Sequence, residues 1–496
     1  MSNHQRADPP IVRRVFIIAG IVFSGLCWYF SNGLNGDFFY LLWLAPIPVL
    51  VISFRSTGRA TFIISFIAYL IGRISWFSYL VMVATVVPAI IFTVALSLFF
   101  ALIVVITRWT VIKMSSWYSV FAFPVFFTTF EFLVIKFSPD GTAGSIAYSQ
   151  SNFLPVIQIA SVTGILGITF LVTFLPSAIA VAWHYHREKS KRQHIGVATI
   201  VIVIPVFLFG VIRSSGKSGR NTINAGLVVL DEKFHNITDH PDFQKERLMT
   251  VYYAKEISNL AAQGAELIVL PERAINLTKE TDDSIISILG NTAKQKHVFI
   301  ITGYTNFRSV PERNSALVIN TVGNPVVDYN KVHLVKGLEH EFTPGSEPGL
   351  FRLNNVDAGI AICKDLDFPD YIKKYGKSNT GILCIPAWDF VKDDWLHARM
   401  AVLRGVENGF SEIRTARQGR LTISDCYGRV TSEANSSSGG RATLIGKVSL
   451  QKRNTIYTRF GEWFGTFNLI AAACIILLAR KNKGRHDTAL ANSRSK

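Results

Sequence analysis

Seven apolar stretches precede residue 214, at roughly 14–31, 38–54, 60–80, 86–107, 117–136, 154–182 and 195–213, and an eighth lies at about 464–479. A run of about 20 apolar residues crosses the hydrocarbon core of a bilayer at about 1.5 Å per residue. No single soluble core absorbs eight such runs, so the chain reads as a polytopic α-helical membrane protein with an inserted α/β domain. The expected parts are a seven-helix transmembrane domain at 1–213, a polar domain at 214–463, and an eighth transmembrane helix with a basic tail at 464–496. The first run follows Arg13 and Arg14, as a signal peptide would. Its length, the lack of a small-residue cleavage site and the spans that follow make it a retained helix.

Where the charge sits fixes an orientation. The chain carries 51 Lys+Arg against 34 Asp+Glu, a net of +17. Residues 214–463 hold 31 and 28 of these, a net of +3, and the apolar remainder holds 20 and 6, a net of +14. Arg6, Arg13 and Arg14 precede the first span, Arg55 and Arg59 follow the second, and Arg108 and Lys113 follow the fourth. Arg187, Lys189, Lys191 and Arg192 follow the sixth, and Arg480, Lys481, Lys483 and Arg485 follow the eighth. All of these fall on one side, which the positive-inside rule makes the cytoplasm. Both termini are then cytoplasmic and residues 214–463 lie across the membrane, with Arg73, Lys136 and Arg213 near the opposite ends of their spans. Charge spread over loops in this way is an orientation signal, and no basic face for nucleic acid is expected.

The five cysteines are Cys27, Cys363, Cys384, Cys426 and Cys474. Three lie in the polar domain, so at most one disulfide forms there, and no spacing suits zinc. Apolar runs at 223–230, 266–270, 298–302, 316–320, 358–363 and 381–385 read as buried strands, and segments at 243–263 and 392–408 as helices. Strands alternating with helices predict an α/β layered domain.

Three strand-like stretches end in reactive groups. Glu272 follows ELIVLP, Lys331 follows NPVVDYN, and Cys363 closes AGIAIC. Each alone is ordinary: a small buried hydrophobe, a rim carboxylate, a solvated loop charge. Together they are the parts of a nucleophilic acyl-transfer site. The thiolate attacks a carbonyl, the carboxylate takes and returns the thiol proton, and the ammonium stabilises first the thiolate and then the oxyanion.

At these residues the chain resembles the nitrilase (carbon-nitrogen hydrolase) superfamily, whose members use Glu, Lys and Cys in that order on an α-β-β-α sandwich. The matching pieces are LIVLPE ending at Glu272, YNKVHLV around Lys331 and GIAICKDLDFPD around Cys363. Seven spans before such a domain and one after resemble the bacterial apolipoprotein N-acyltransferases within that superfamily. WLHARMAVLRGVENG at 395–409, YTRFGEWFG at 457–465, LLWLAPIPVL at 41–50 and AYSQSNFLPVIQIASVTGILGITFLV at 147–172 are similar to that branch. The resemblance implies transfer of a fatty acyl chain from a membrane phospholipid, through a Cys363 thioester, to the N-terminal amine of a diacylglyceryl-cysteine apolipoprotein. It implies no cofactor and no metal. It places the enzyme in the bacterial inner membrane with its catalytic domain on the periplasmic side.

The chain also departs from the branch. Lys364 and Asp365 follow the nucleophile where an aromatic residue and a glutamate are usual, the segment after Lys331 reads HLVKGLEHEFTP, and the first strand ends in LVVLDEKFHN. Either Glu339 or Glu341 is then the second carboxylate near the nucleophile, and register favours Glu339. Lys364 is expected either to favour the Cys363 thiolate by its charge, with its backbone N–H serving the oxyanion, or to point into solvent. His333 reads as a structural hydrogen-bonding residue and secondarily as a proton shuttle. Arg404 and Glu407, beside Arg399 on the 395–409 helix, read as an i, i+3 ion pair. Glu131, a carboxyl group within a span, is a functional candidate whose partner the sequence does not identify; Lys136 lies on another face of its helix. Trp76, Phe77, Tyr79, Trp388, Trp463 and Phe464 read as interfacial or core aromatics. Two other functions are weighed: a membrane-tethered amidase with water as acceptor, and a non-catalytic lipoprotein-binding factor.

Overall fold

The computed structural model of the protein describes residues 10–31, 33–235, 242–279 and 282–494. Arg6 and the end of the LVVLDEKFHN segment at Asn236 lie outside these residues. Six helices are long and apolar enough to cross a membrane: Gly58–Ala84, Val86–Met114, Trp117–Phe137, Ile165–His184, Lys189–Ser214 and Trp463–Lys481. Their outer faces stay apolar in the open. The Lys189–Ser214 helix has a window of mean hydropathy 2.9 that is only 11% buried, a surface that only lipid solvates well.

The expected count of eight spans is not reached among the described residues. Arg14–Phe30, Phe39–Ser53 and Leu154–Thr163 are shorter apolar helical segments. The predicted span 38–54 is a 3-10 turn, Phe39–Trp43, running into a short helix, Pro46–Ser53. The predicted span 154–182 breaks at Gly164, whose φ of +67° is left-handed. A β-carbon there would lie 2.6 Å from the Tyr457 ring. The helix that restarts at Ile165 is capped from the polar domain, its first N–H donating to Glu407 Oε1 at 3.0 Å.

Among its described residues the polar domain has 13 strands: β1 Thr222–Val229, β2 Leu267–Val269, β3 Ile275–Leu277, β4 Phe299–Asn306, β5 Arg313–Ile319, β6 Pro325–Asn330, β7 Gly349–Leu353, β8 Val356–Ile360, β9 Ile382–Trp388, β10 Ser411–Arg417, β11 Arg420–Ser424, β12 Val430–Asn435 and β13 Ala442–Ser449. One sheet runs β13-β1-β2-β4-β5-β6, with β3 also on β4, and the other β12-β11-β10-β9-β8-β7. Their inner faces share one core, with Leu227, Val269 and Ile301 meeting Ile360, Cys384 and Ile413. Helices Phe243–Ala262 and Asp282–Lys296 cover one outer face, Pro369–Lys377 and Asp394–Asn408 the other. This is the α-β-β-α sandwich that the resemblance implies. All five cysteines are free thiols.

The helix Asp394–Asn408 belongs to both halves of the molecule. Trp395, Leu396, Met400, Leu403 and Val406 join the same hydrophobic cluster as the apolar helices. Arg404 is fully buried, forms the expected ion pair with Glu407, and donates to Tyr148 Oη at 2.5 Å. Lys136 pairs with Asp370, and Arg213 donates to Gln158 and to the carbonyls of Val406 and Cys426. Breaking a buried pair leaves an uncompensated charge that costs about 3–5 kcal/mol. Arg404→Ala is therefore expected to lower the thermal midpoint of the detergent-solubilised protein far more than Lys136→Ala, whose ion pair with Asp370 is exposed.

Candidate active site

Cys363 stands where β8 runs into the 3-10 turn Cys363–Asp367. Its φ is +41°, a left-handed conformation that a β-carbon disfavours by about 1–2 kcal/mol. Asp365, fully buried, holds the turn. Its carboxylate accepts from the N–H groups of Ile362 at 3.0 Å, Val332 at 3.1 Å and His333 at 2.8 Å, and from Tyr329 Oη at 2.6 Å. One carboxylate thereby fixes the nucleophile turn to the segment after Lys331. His333 serves this brace, its Nδ1 lying 3.1 Å from Asp365 and its ring stacked on Phe368 at 3.8 Å.

Glu272 follows β2 and Lys331 follows β6, so the sheet order delivers both beside the β8 end. Lys331 is 1% exposed. Its Nζ donates to Glu272 Oε1 at 2.7 Å and Glu339 Oε2 at 2.9 Å. Asn314 Nδ2 donates to Glu272 Oε1 at 2.7 Å and Glu339 Oε1 at 2.6 Å, tying the two carboxylates together. The choice between the two glutamates falls to Glu339. Glu341 is half-exposed against His340.

The electrostatics follow from this geometry. Burial opposes the Lys331 charge, but Glu272 and Glu339 outweigh it and hold the ammonium well above its ordinary pKa. Burial likewise opposes the Glu339 charge, and Lys331 outweighs it, so Glu339 titrates below the usual carboxylate range. The Cys363 thiol is pushed up, first by burial and then by Glu272, with Lys331 opposing. The site thus sets the thiol, whose ionised form burial and Glu272 disfavour, beside a buried ammonium. No described residue donates to Glu272 Oε2, which leaves one oxygen of that carboxylate available to a proton.

The Lys364 side chain departs from both expectations for it. It is neither solvated nor aimed at the thiol: its side chain is 9% exposed, with Nζ 2.8 Å from Asp140 Oδ1 and 3.6 Å from Asp367 Oδ2. Asp140 lies in the segment 138–150 of the helical half, which clamps the nucleophile turn. Thr142 donates to the Asp367 carbonyl through its N–H and its hydroxyl, both at 2.9 Å. Gly141 is required there, since a β-carbon would lie 2.3 Å from that carbonyl oxygen. Glu131 anchors the same segment, accepting from Ser145 Oγ at 3.0 Å, the Ile146 N–H at 2.9 Å and Thr169 Oγ1 at 2.5 Å.

Sequence reasoning missed several groups. Asn314 carried no signal, being one polar residue entering an apolar strand. Asp389 and Arg414 form a bidentate pair, Arg414 Nη1 to Asp389 Oδ2 at 2.9 Å and Nη2 to Oδ1 at 2.5 Å. His397 lies 3.0 Å from Asp393. Burial opposes its charge, but Asp393 outweighs burial and lifts its pKa to about 9.

Glu272, Lys331, Cys363, Lys364 and His397 all line one cavity of about 640 Å³. It continues between the helices Gly58–Ala84, Val86–Met114 and Trp117–Phe137, where Leu80, Val83, Phe92, Leu96 and Phe130 form its walls. A nucleophile at one end and apolar walls at the other suit a substrate with a reactive carbonyl on a long hydrocarbon.

The description "Apolipoprotein N-acyltransferase N-terminal domain" matches residues 18–178, and "Carbon-nitrogen hydrolase" matches residues 242–455. The apolipoprotein N-acyltransferase of Geobacter metallireducens is 24% identical over 90% of this chain and 92% of its own. That of Thermotoga maritima is 22% identical over 73% and 71%. The 2-oxoglutaramate amidase of Bacillus subtilis is 30% identical over 39% of this chain and 83% of its own. Among solved structures, an amidase from Nesterenkonia sp. aligns with 51% of this chain and 99% of its own at 17% identity and a TM-score of 0.42.

The charges around the thiol set opposite responses to two substitutions. Glu272→Gln removes a negative charge, so the pH midpoint for alkylation of Cys363, followed by mass spectrometry of its peptide, is expected to fall. Lys331→Met removes the positive charge and is expected to raise it. Movement of both midpoints in one direction would contradict the arrangement.

Proposed function

We propose, because the chain belongs to the apolipoprotein N-acyltransferase family of the carbon-nitrogen hydrolases, that it transfers a fatty acyl chain from a membrane phospholipid to the N-terminal amine of a diacylglyceryl-cysteine lipoprotein. The observation that carries this reading is the cavity that runs from Cys363 into the apolar helices. A small amide would need no such walls, so the cavity favours acyl transfer over the amidase reading.

Glu272 takes the Cys363 proton as Sγ attacks the donor ester carbonyl. Lys331 Nζ, whose third N–H is not used by Glu272 or Glu339, and the Lys364 backbone N–H stabilise the oxyanion. The C–O bond breaks, Glu272 returns the proton to the departing glycerol oxygen, and a lysophospholipid leaves. The lipoprotein amine then attacks the thioester carbonyl and gives a proton to Glu272, the C–S bond breaks, and Glu272 returns that proton to the departing Sγ, leaving an amide and the thiol. Glu339 and Asn314 hold Lys331 and Glu272 in place, and Asp365 positions the nucleophile turn. An apolar cavity that excludes water protects the thioester from hydrolysis between the two steps.

In this reading residues 1–213 are the seven-helix transmembrane domain, 214–463 the catalytic domain, and 464–496 the last helix with its tail. The segments Pro10–Phe30 and Phe39–Ser53 complete eight crossings. The catalytic domain is periplasmic and both termini cytoplasmic. The contacts of Lys136 and Arg213 with residues of 214–463 support this, since both fall on the side opposite the basic loops.

Incubation of the purified protein with acyl-labelled phospholipid is expected to give an adduct cleaved by hydroxylamine and absent in Cys363→Ala. Turnover of a soluble amide with no lipid adduct would support the amidase instead.

A further inference from the structure

The helix Gly58–Ala84 presents Tyr69, Arg73, Trp76, Leu80 and Val83 to the cavity, a stripe at steps of three and four residues that runs about 21 Å along its axis. One member does not belong in an acyl channel. Arg73 is 8% exposed, its guanidinium 4.6 Å over the Trp76 ring. It makes no hydrogen bond and no ion pair with any described residue, and its Nε is buried without an acceptor. A guanidinium removed from water without an anion is costly, and such groups inside membranes almost always have partners.

A carboxyl group was within the helical half to serve as that partner. Glu131 lines the same cavity, yet it is satisfied by three neutral donors, Ser145, Ile146 and Thr169, and forms no ion pair with Arg73. Glu131 is spent on anchoring the segment 138–150, and Arg73 is left open to the cavity. Trp76, on which the guanidinium stacks, lies against Gly144 of that segment.

An anion must therefore come from whatever enters. On the acyltransferase reading, on which this inference rests, the entering molecule carries a phosphodiester on the same glycerol as the scissile ester, so the anion arrives whenever the ester reaches Cys363. We propose that Arg73 receives the phosphodiester of the glycerophospholipid acyl donor and thereby sets a preference for phosphate-bearing donors over neutral diacylglycerols. The planar guanidinium suits two phosphate oxygens at once. Trp76 holds the fork in place.

The test compares acylation of Cys363 in the full-length protein in detergent, scored by mass spectrometry over a range of donor concentrations. The donors are dipalmitoyl phosphatidylglycerol and dipalmitoylglycerol. The wild type is expected to prefer the phospholipid. Arg73→Gln is expected to lose about tenfold or more of the phospholipid rate at low donor concentration, with the diacylglycerol rate within about twofold of wild type and part of the loss restored by Arg73→Lys. An equal loss with both donors, no loss with either, or a wild type indifferent to the phosphate would overturn this assignment alone. A wild type acylated by neither donor would overturn the acyltransferase reading and the assignment with it.

Discussion

An ammonium taken fully out of water costs several kcal/mol unless charge and hydrogen bonds surround it, and Lys331 is in that position. Two carboxylates, Glu272 and Glu339, meet that demand, and the Asn314 amide holds the pair together by donating to both. The four side chains come from the ends of β2 and β6, the start of β5 and the segment beyond Lys331. The cluster therefore exists only when the first sheet has its native order. The nucleophile comes from the second sheet. Its turn is joined to the lysine segment through Asp365, so buried polar bonds align the two halves of the site on the apolar core that the sheets share.

The second dependence is between the catalytic domain and the apolar helices. The segment 138–150 connects Glu131 within the helical half to the turn that carries Cys363, through Asp140 on Lys364 and Thr142 on the Asp367 carbonyl. Arg404 ties the same segment from the other side through Tyr148. The nucleophile is thereby held at the mouth of a cavity whose far walls are membrane helices. On the proposed mechanism this join lets a lipid ester reach the thiol while its chain stays in an apolar medium. It also explains why Lys364 can replace an aromatic residue: its work is at the joint and away from the thiol.

Much of this was legible in the sequence because it rests on pattern. The apolar runs marked the helical half, the ends of apolar stretches marked Glu272, Lys331 and Cys363, and register favoured Glu339 while leaving Glu341 open. What was not legible depends on distant partners. The span expected at 154–182 carries no charged residue, and Glu407 on the Ile165 N–H and the left-handed Gly164 explain its break. β10 was missed because its sequence, SEIRTAR, is polar, although every residue in it is buried. Its arginines lie inside because Asp389 and Glu232 meet them there. Asn314 and Arg73 are single polar residues in apolar stretches of sequence, and only the fold gives them meaning, Asn314 through the two carboxylates it joins and Arg73 through the cavity it lines.

Lipoprotein N-acylation itself is the property on which the account stands. Expression of this chain in a bacterial strain depleted of its own lipoprotein N-acylation, with mass spectrometry of lipoprotein N-termini, measures it directly. The account predicts N-acylated termini with the wild type and free amines with Cys363→Ala. Free amines with a stably expressed wild type, or N-acylated termini with Cys363→Ala, would contradict it.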